Sequence, residues 1–171
     1  MLLREEQAAD REAVRLVNTL AFGRASEADL VERLRDAGLV VASLVAEEEG
    51  RVVAHILFTR LEMETARGPV AAASLAPMAV LPERQRRGIG SALVPRGLEL
   101  CRERGVVVVV VVGHPTYYPR FGFSAELARR LRAPFSGESF MAVELEPGVM
   151  AGRSGWVRYP DAFGALPAQL P

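Results

Sequence analysis

Lysine is absent from this chain. All 21 basic residues are arginine, set against 21 acidic ones, so the formal charge is zero. The missing lysine rules out a P-loop, whose glycine-lysine step carries the phosphate contact. The charge balance argues against a dedicated nucleic-acid binder, which would be strongly basic. Cys101 is the single cysteine, which leaves no disulfide framework within one chain, and His55 and His114 are the only histidines. No metal site is expected from so few soft or imidazole ligands. Long apolar runs are missing too. Val106 to Val112 falls far short of the roughly 20 residues that cross a bilayer, and no membrane association is expected. The opening MLLREEQAAD is too charged and too short for a signal peptide, so the expected location is the cytoplasm. With 171 residues, half of them apolar, one domain spanning 1–171 is the simplest organisation.

What remains is a mixed pattern of helices and strands. Met1 to Glu6 reads as an edge strand. Asp10 is placed to cap a helix over Arg11 to about Ala21, with Ala13, Leu16, Val17 and Leu20 as its apolar stripe. Ser26 with Asp29 resembles a capping box for a second helix, ended by Gly38. The loop from Phe22 to Ala25 is positioned to form one wall of a cleft, or to bury Phe22 in the core. Strands are expected over Val40–Ala46 and Arg51–Arg60, joined by the turn Glu47–Gly50. A polar turn follows over Glu62–Gly68, then a strand over Val70–Val80, which Pro77 should bulge, splay or leave at an edge. A helix from Gly88 to Arg104 should turn Ile89, Leu93, Leu100 and Cys101 inward and be kinked or opened by Pro95. Val106–Val112 reads as a strand covered on both faces, so Val70–Val112 forms a strand–helix–strand crossover to a parallel neighbour. Further strands are expected at Phe140–Leu145 and Trp156–Tyr159, with an irregular tail over 160–171. Trp156 and open strand edges suggest a possible homodimer.

The chemistry concentrates in Leu75 to Leu93, LAPMAVLPERQRRGIGSAL. An apolar strand turns through Pro82 into the basic segment Arg84-Gln85-Arg86-Arg87, then into Gly88-Ile89-Gly90-Ser91 at the start of a helix. A helix start carries free backbone N–H groups and the positive end of the helix dipole. Small residues let a phosphate approach that backbone closely. A dinucleotide fingerprint would need a third glycine where Leu93 stands.

Arg84 to Gly90 resembles the glutamine/arginine-x-x-glycine-x-glycine signature of the GNAT superfamily of N-acetyltransferases. Paired with GHPTYYPRFGF (Gly113 to Phe123), the chain is similar to a bacterial predicted-acetyltransferase subgroup that carries a histidine-proline-x-tyrosine-tyrosine-proline-x-phenylalanine-glycine-phenylalanine string. The resemblance implies an α/β (mixed α+β) fold with a central, mixed, splayed sheet flanked by helices. It implies acetyl-CoA as cofactor and a small-molecule or peptide amine as acceptor, acetylated by direct attack. Met78, Ala79 and Val80 would hold the pantetheine arm, and Gln85, Arg86, Arg87, Gly88, Ile89, Gly90 and Ser91 the pyrophosphate. Tyr118 would protonate the leaving sulfur, with Tyr117 as the alternative, and His114 is a candidate base. His55, Glu62 and Glu64 are weaker candidates for proton or amine handling. Cys101 reads as core. The competing reading is an acyl-CoA-binding sensor without turnover.

Overall fold

The computed structural model describes residues 1–164, and the expected tail beyond Gly164 lies outside the described residues. In chain order the strands are β1 Leu2–Glu5, β2 Val40–Glu48, β3 Arg51–Thr65, β4 Gly68–Pro69, β5 Ala72–Val80, β6 Val108–Val112, β7 Leu131–Arg132, β8 Phe140–Glu144 and β9 Gly155–Arg158. The helices are α1 Arg11–Phe22, α2 Ser26–Asp36, α3 Ile89–Glu103 and the single turn α4 Ala125–Ala128. The main sheet runs β1-β2-β3-β5-β6-β8, and the far end of β3 also pairs with β4 and β9. Every neighbour along that path is antiparallel except β5–β6, the parallel pair joined through α3. This is the expected α/β architecture.

β3 is the spine. Its alternate residues face different helices: His55 meets Asn18 of α1, while Phe58 packs where Gly97 of α3 leaves room. Helices therefore cover both faces of β3. β6, four of whose five valines are buried, reads as a continuous apolar run because Val109 and Val111 join the main core while Val108 and Val110 join a second cluster with Leu131, Met150 and Val157. Gly97 is a close-approach glycine, because a Cβ there would stand 2.2 Å from the Phe58 ring. Phe58 is fully buried and cannot give way. Gly97→Ala should destabilise the fold by about 2 kcal/mol, lowering Tm by roughly 6 °C in a thermal melt; an unchanged Tm would refute this account of the helix–sheet contact.

Several local expectations are corrected. The buried stripe of α1 is Val14, Val17 and Asn18, whereas Leu16 and Leu20 are 50% and 45% exposed. Asn18 goes inward despite its polarity because its amide donates to the Val14 carbonyl at 2.9 Å and meets His55 Nδ1 at 3.1 Å. Asp10 does not cap α1; it accepts from Arg4 at 2.6 and 2.9 Å and from the Gln7 amide at 2.7 Å. The Arg4 guanidinium holds that carboxyl below its usual range. Ser26 is the first residue of α2 rather than its cap, and Asp29 pairs with Arg15 at 2.7 Å. β3 continues to Thr65 through the segment expected to be a turn, because β4 and β9 pair with its end. α3 continues from Ile89 to Glu103 with Pro95 inside it, so the proline does not end the helix, and the Ser91 carbonyl finds no N–H at position 95. Residues Asp161–Phe163 form a 3₁₀ turn, strapped to α2 by Arg33 Nε donating to the Ala162 carbonyl at 2.9 Å.

Candidate active site

The parallel pair that α3 connects comes apart. β6 pairs with Ala72–Leu75 and no further, so β5 continues from Ala76 to Val80 bonded only to β3. The β3–β5 register shifts between Ile56 and Phe58, where β5 carries one extra residue at Ala76–Pro77. That bulge sits where Pro77 predicts it, and it turns the strand away from β6.

Alternation then fixes which amides face the gap. Leu81 N–H donates to Val53 of β3 at 2.9 Å. Ala79 points the same way, so Met78 and Val80 turn their backbone groups to the open side. Sequence reasoning treated Ala79 as equivalent to its neighbours; its side chain is buried and its backbone faces β3. The Val80 carbonyl accepts from Gln85 Nε2 at 3.0 Å. The Gln85 side chain thus braces the strand end.

Beyond Gln85 the chain turns through Arg86, at φ +60°, and Gly88, at φ +81°, into α3. The first main-chain bond of α3 runs from Ala92 N–H to the Gly88 carbonyl at 3.0 Å, and no side chain caps the helix. The amides of Ile89, Gly90 and Ser91 are therefore without helix acceptors. Arg84 lies 3.3 Å from Glu48, whereas Arg86 and Arg87 are exposed and have no ion pair among the described residues. Arg120 adds a third cation that sequence reasoning passed over. Its guanidinium lies 4.5 Å from the centre of the Tyr117 ring and 3.5 Å from Ser91 Oγ. Its place in GHPTYYPRFGF was the only available signal.

The segment after β6 lays both tyrosines against this helix start. The His114 carbonyl accepts the Tyr117 and Tyr118 amides at 3.0 and 3.4 Å, and Tyr118–Phe121 forms a 3₁₀ turn. The Tyr117 hydroxyl is 3.3 Å from Ser91 Oγ. Tyr118 is buried, its ring seated on Gly113 so closely that a Cβ there would lie 2.3 Å away. Its hydroxyl has no hydrogen-bond partner among the described residues. Burial, and then the neighbouring Tyr117, push the phenol pKa above its ordinary value.

A cavity of about 580 Å³ fills the fork. One half is lined by Leu75 to Met78, by Gly113 and His114, and by both tyrosines. The other half is built by Phe22, Arg24, Glu27 and Leu30 from the α1–α2 corner, facing Phe135, Tyr159 and Phe163 from the C-terminal third. Phe22 is thus a wall residue, 39% exposed. Apart from the Phe22 loop, this second half escaped sequence reasoning, because its two sides lie more than a hundred residues apart. Glu62 and Glu64 do not line the cavity; they pair with β9, and Glu62 lies 3.9 Å from Arg158. His55 is fully buried away from the fork, its Nε2 3.0 Å from Ser43 Oγ. Cys101 is buried on α3, and burial pushes its thiol up to about 12, an inert core residue.

A family described as "Acetyltransferase (GNAT) domain" matches residues 3–125. An uncharacterised N-acetyltransferase of Escherichia coli K12, YjhQ, is 44% identical over 117 residues, which make up 67% of this chain and 65% of that relative. A second from the same strain, YhbS, is 31% identical over 166 residues, 95% of this chain and 98% of the other. The crystal structure of YhbS from E. coli in complex with CoA has a TM-score of 0.86 at 29% identity, covering 98% of this chain and 94% of that one. A GNAT family acetyltransferase from Brucella melitensis in complex with acetyl-CoA has a TM-score of 0.77 at 32% identity, covering 95% and 97%.

Proposed function

Because the chain belongs to the GNAT acetyltransferase family, we propose that it is a cytoplasmic, acetyl-CoA-dependent N-acetyltransferase acting on a primary amine. Within the family, the string from His114 to Phe123 supports the bacterial predicted-acetyltransferase subgroup. One observation carries the reading: an unpaired strand edge and an unpartnered phenol line one cavity, and the uncapped helix start lies beside it, against the lining residues Met78 and Tyr117. The two similar crystal structures holding CoA and acetyl-CoA support the same cofactor.

The residues suit that cofactor. The amides of Ile89, Gly90 and Ser91 offer donors to a pyrophosphate, reinforced by the helix dipole and by Arg86, Arg87 and Arg120. Gly88 takes the positive φ that the turn into α3 requires. Gly90 keeps the approach open, since a Cβ there would already lie 3.0 Å from the Tyr117 hydroxyl and 3.3 Å from Met78 Cε. Met78 and Val80 present backbone groups to an extended pantetheine arm as a neighbouring strand would see them. When bound, acetyl-CoA supplies the activated acyl group. The Met78 amide is placed to donate to an oxygen that gains charge during transfer. Tyr118 stays protonated and gives its proton to the departing sulfur. Tyr117 holds Ser91 and the helix start in place, and His114, exposed at the cavity rim, is positioned to accept a proton from the amine.

Isothermal calorimetry with acetyl-CoA, followed by steady-state CoA release on a panel of amines, tests the proposal. The wild type should bind and turn over. Gly90→Val, which fills the approach between Met78 and Tyr117, should weaken acetyl-CoA binding by about tenfold or more while leaving Tm within about 2 °C. Binding without turnover on every acceptor would favour a sensor, and no binding would remove both readings.

A further inference from the structure

We infer, granting the acetyl-transfer reading on which this rests, that the acceptor is a primary monoamine carrying an aryl group, seated against Phe135, Tyr159 and Phe163, and not a polyamine or a basic peptide. The second half of the cavity shares no residue with the set assigned above to the cofactor. Its composition is therefore free to reflect the acceptor.

Two observations point the same way. The first is the aromatic wall. Phe135 and Tyr159 meet edge to face with centroids 5.2 Å apart at 80°, and Tyr159 and Phe163 meet at 5.1 Å and 88°. This chain of rings lines the same cavity as Phe22 and Leu30. Faces and edges in that arrangement receive another ring in the offset or perpendicular geometry that aromatic pairs prefer.

The second is charge. The only carboxylate lining the cavity among the described residues is Glu27. It is already engaged by Arg24, whose Nη2 lies at 2.5 Å and Nε at 3.0 Å. Arg33 adds a further guanidinium, with its Nε turned to the Ala162 carbonyl. Two arginines against one glutamate leave the wall net positive. A single ammonium entering there meets a like charge and sheds its proton to water more readily. This produces the neutral amine that acyl transfer needs. A polyamine or a lysine-rich peptide would bring further positive charges that find no free carboxylate, and each would be repelled.

Calorimetry on the CoA-bound protein, with phenethylamine and spermidine as probes, separates the classes. Phenethylamine should bind at least about tenfold more tightly than spermidine, and Phe135→Ala should weaken phenethylamine by about fivefold or more. Arg33→Glu, which reverses the wall charge, should strengthen spermidine severalfold. Phe163→Leu keeps an apolar side chain at the wall while removing a ring. It should lower phenethylamine affinity even if the Phe135 variant folds poorly. Spermidine binding as tightly as phenethylamine would overturn the proposal, as would phenethylamine affinity unmoved by both aromatic variants. Should phenethylamine bind with the expected ranking but release no CoA in a separate turnover assay supplied with acetyl-CoA, the substrate class stands and the acetyl-transfer reading alone falls.

Discussion

Replacing Tyr118 with phenylalanine should lower kcat by about 10²- to 10⁴-fold, while acetyl-CoA affinity stays within about twofold and Tm within about 2 °C. The hydroxyl bonds to nothing among the described residues, so its removal leaves no orphaned partner in the fold. The ring is a different matter. It wedges over Gly113 and packs edge to face on Phe123 at 5.6 Å, and phenylalanine retains all of that. Burial keeps the phenol protonated well above neutrality. The wild-type rate should therefore show no alkaline fall from this group below about pH 10, near the unperturbed tyrosine value. Tyr117→Phe, which loses only the 3.3 Å contact to Ser91, should cost far less in kcat. Equal losses in the two variants, or a Tyr118 variant that turns over normally, would show that the sulfur takes its proton from elsewhere.

Acid should destabilise the protein through His55, well before its carboxylates titrate. Burial, and then the nearby Arg35 charge, lower the His55 pKa from 6.5 to about 3. The hydrogen bonds explain how a neutral ring is held. Ser43 gives its one proton to Glu6, so its oxygen must accept from His55 Nε2–H at 3.0 Å. The Nδ1 lone pair then accepts from Asn18. Glu6 lies 3.7 Å from Nε2, but Arg35 and Ser43 already occupy its two oxygens. Between pH 3 and 6.5 the unfolded chain takes up a proton that the native chain refuses. Stability is therefore complete above the unfolded pKa and declines as pH drops below it. Chemical denaturation should show a loss of about 2 kcal/mol between pH 7 and pH 5. His55→Gln, less stable at pH 7, should lose under about 0.5 kcal/mol over the same interval. Matching losses in both proteins would place the acid sensitivity elsewhere.

What could be read in advance follows from the range of the interactions. The glycine turn, the start of α3 and the bulge at Pro77 depend on neighbours within a few residues, and each stands where the local chemistry puts it. The inward face of α1 was misread because Asn18 looks like a surface residue until its partner His55, on another strand, is known. Leu16 and Leu20 show the converse, since apolar residues remain outside when the sheet covers the other face. The length of β3 was underestimated for a similar reason. Glu62, Glu64 and Thr65 have the composition of a turn, and β9, nearly a hundred residues later, holds them extended. The rings opposite Phe22 were invisible because nothing short-range joins α2 to Asp161–Phe163; one arginine–carbonyl bond does.

That strap divides the labour of the cavity. The cradle proposed for the phosphates is one continuous stretch of main chain, Met78 to Ser91, whose geometry is set by amides and glycines. The acceptor side is made of side chains from Phe22–Arg33, from Phe135 and from residues 159–163, the first and last pinned together at Arg33 and Ala162. Exchanging those segments should re-tailor acceptor choice and leave the proposed cofactor cradle untouched, so a graft confined to Phe22–Arg33, Phe135 and residues 159–163 is a compact route to a transferase with a different taste in amines.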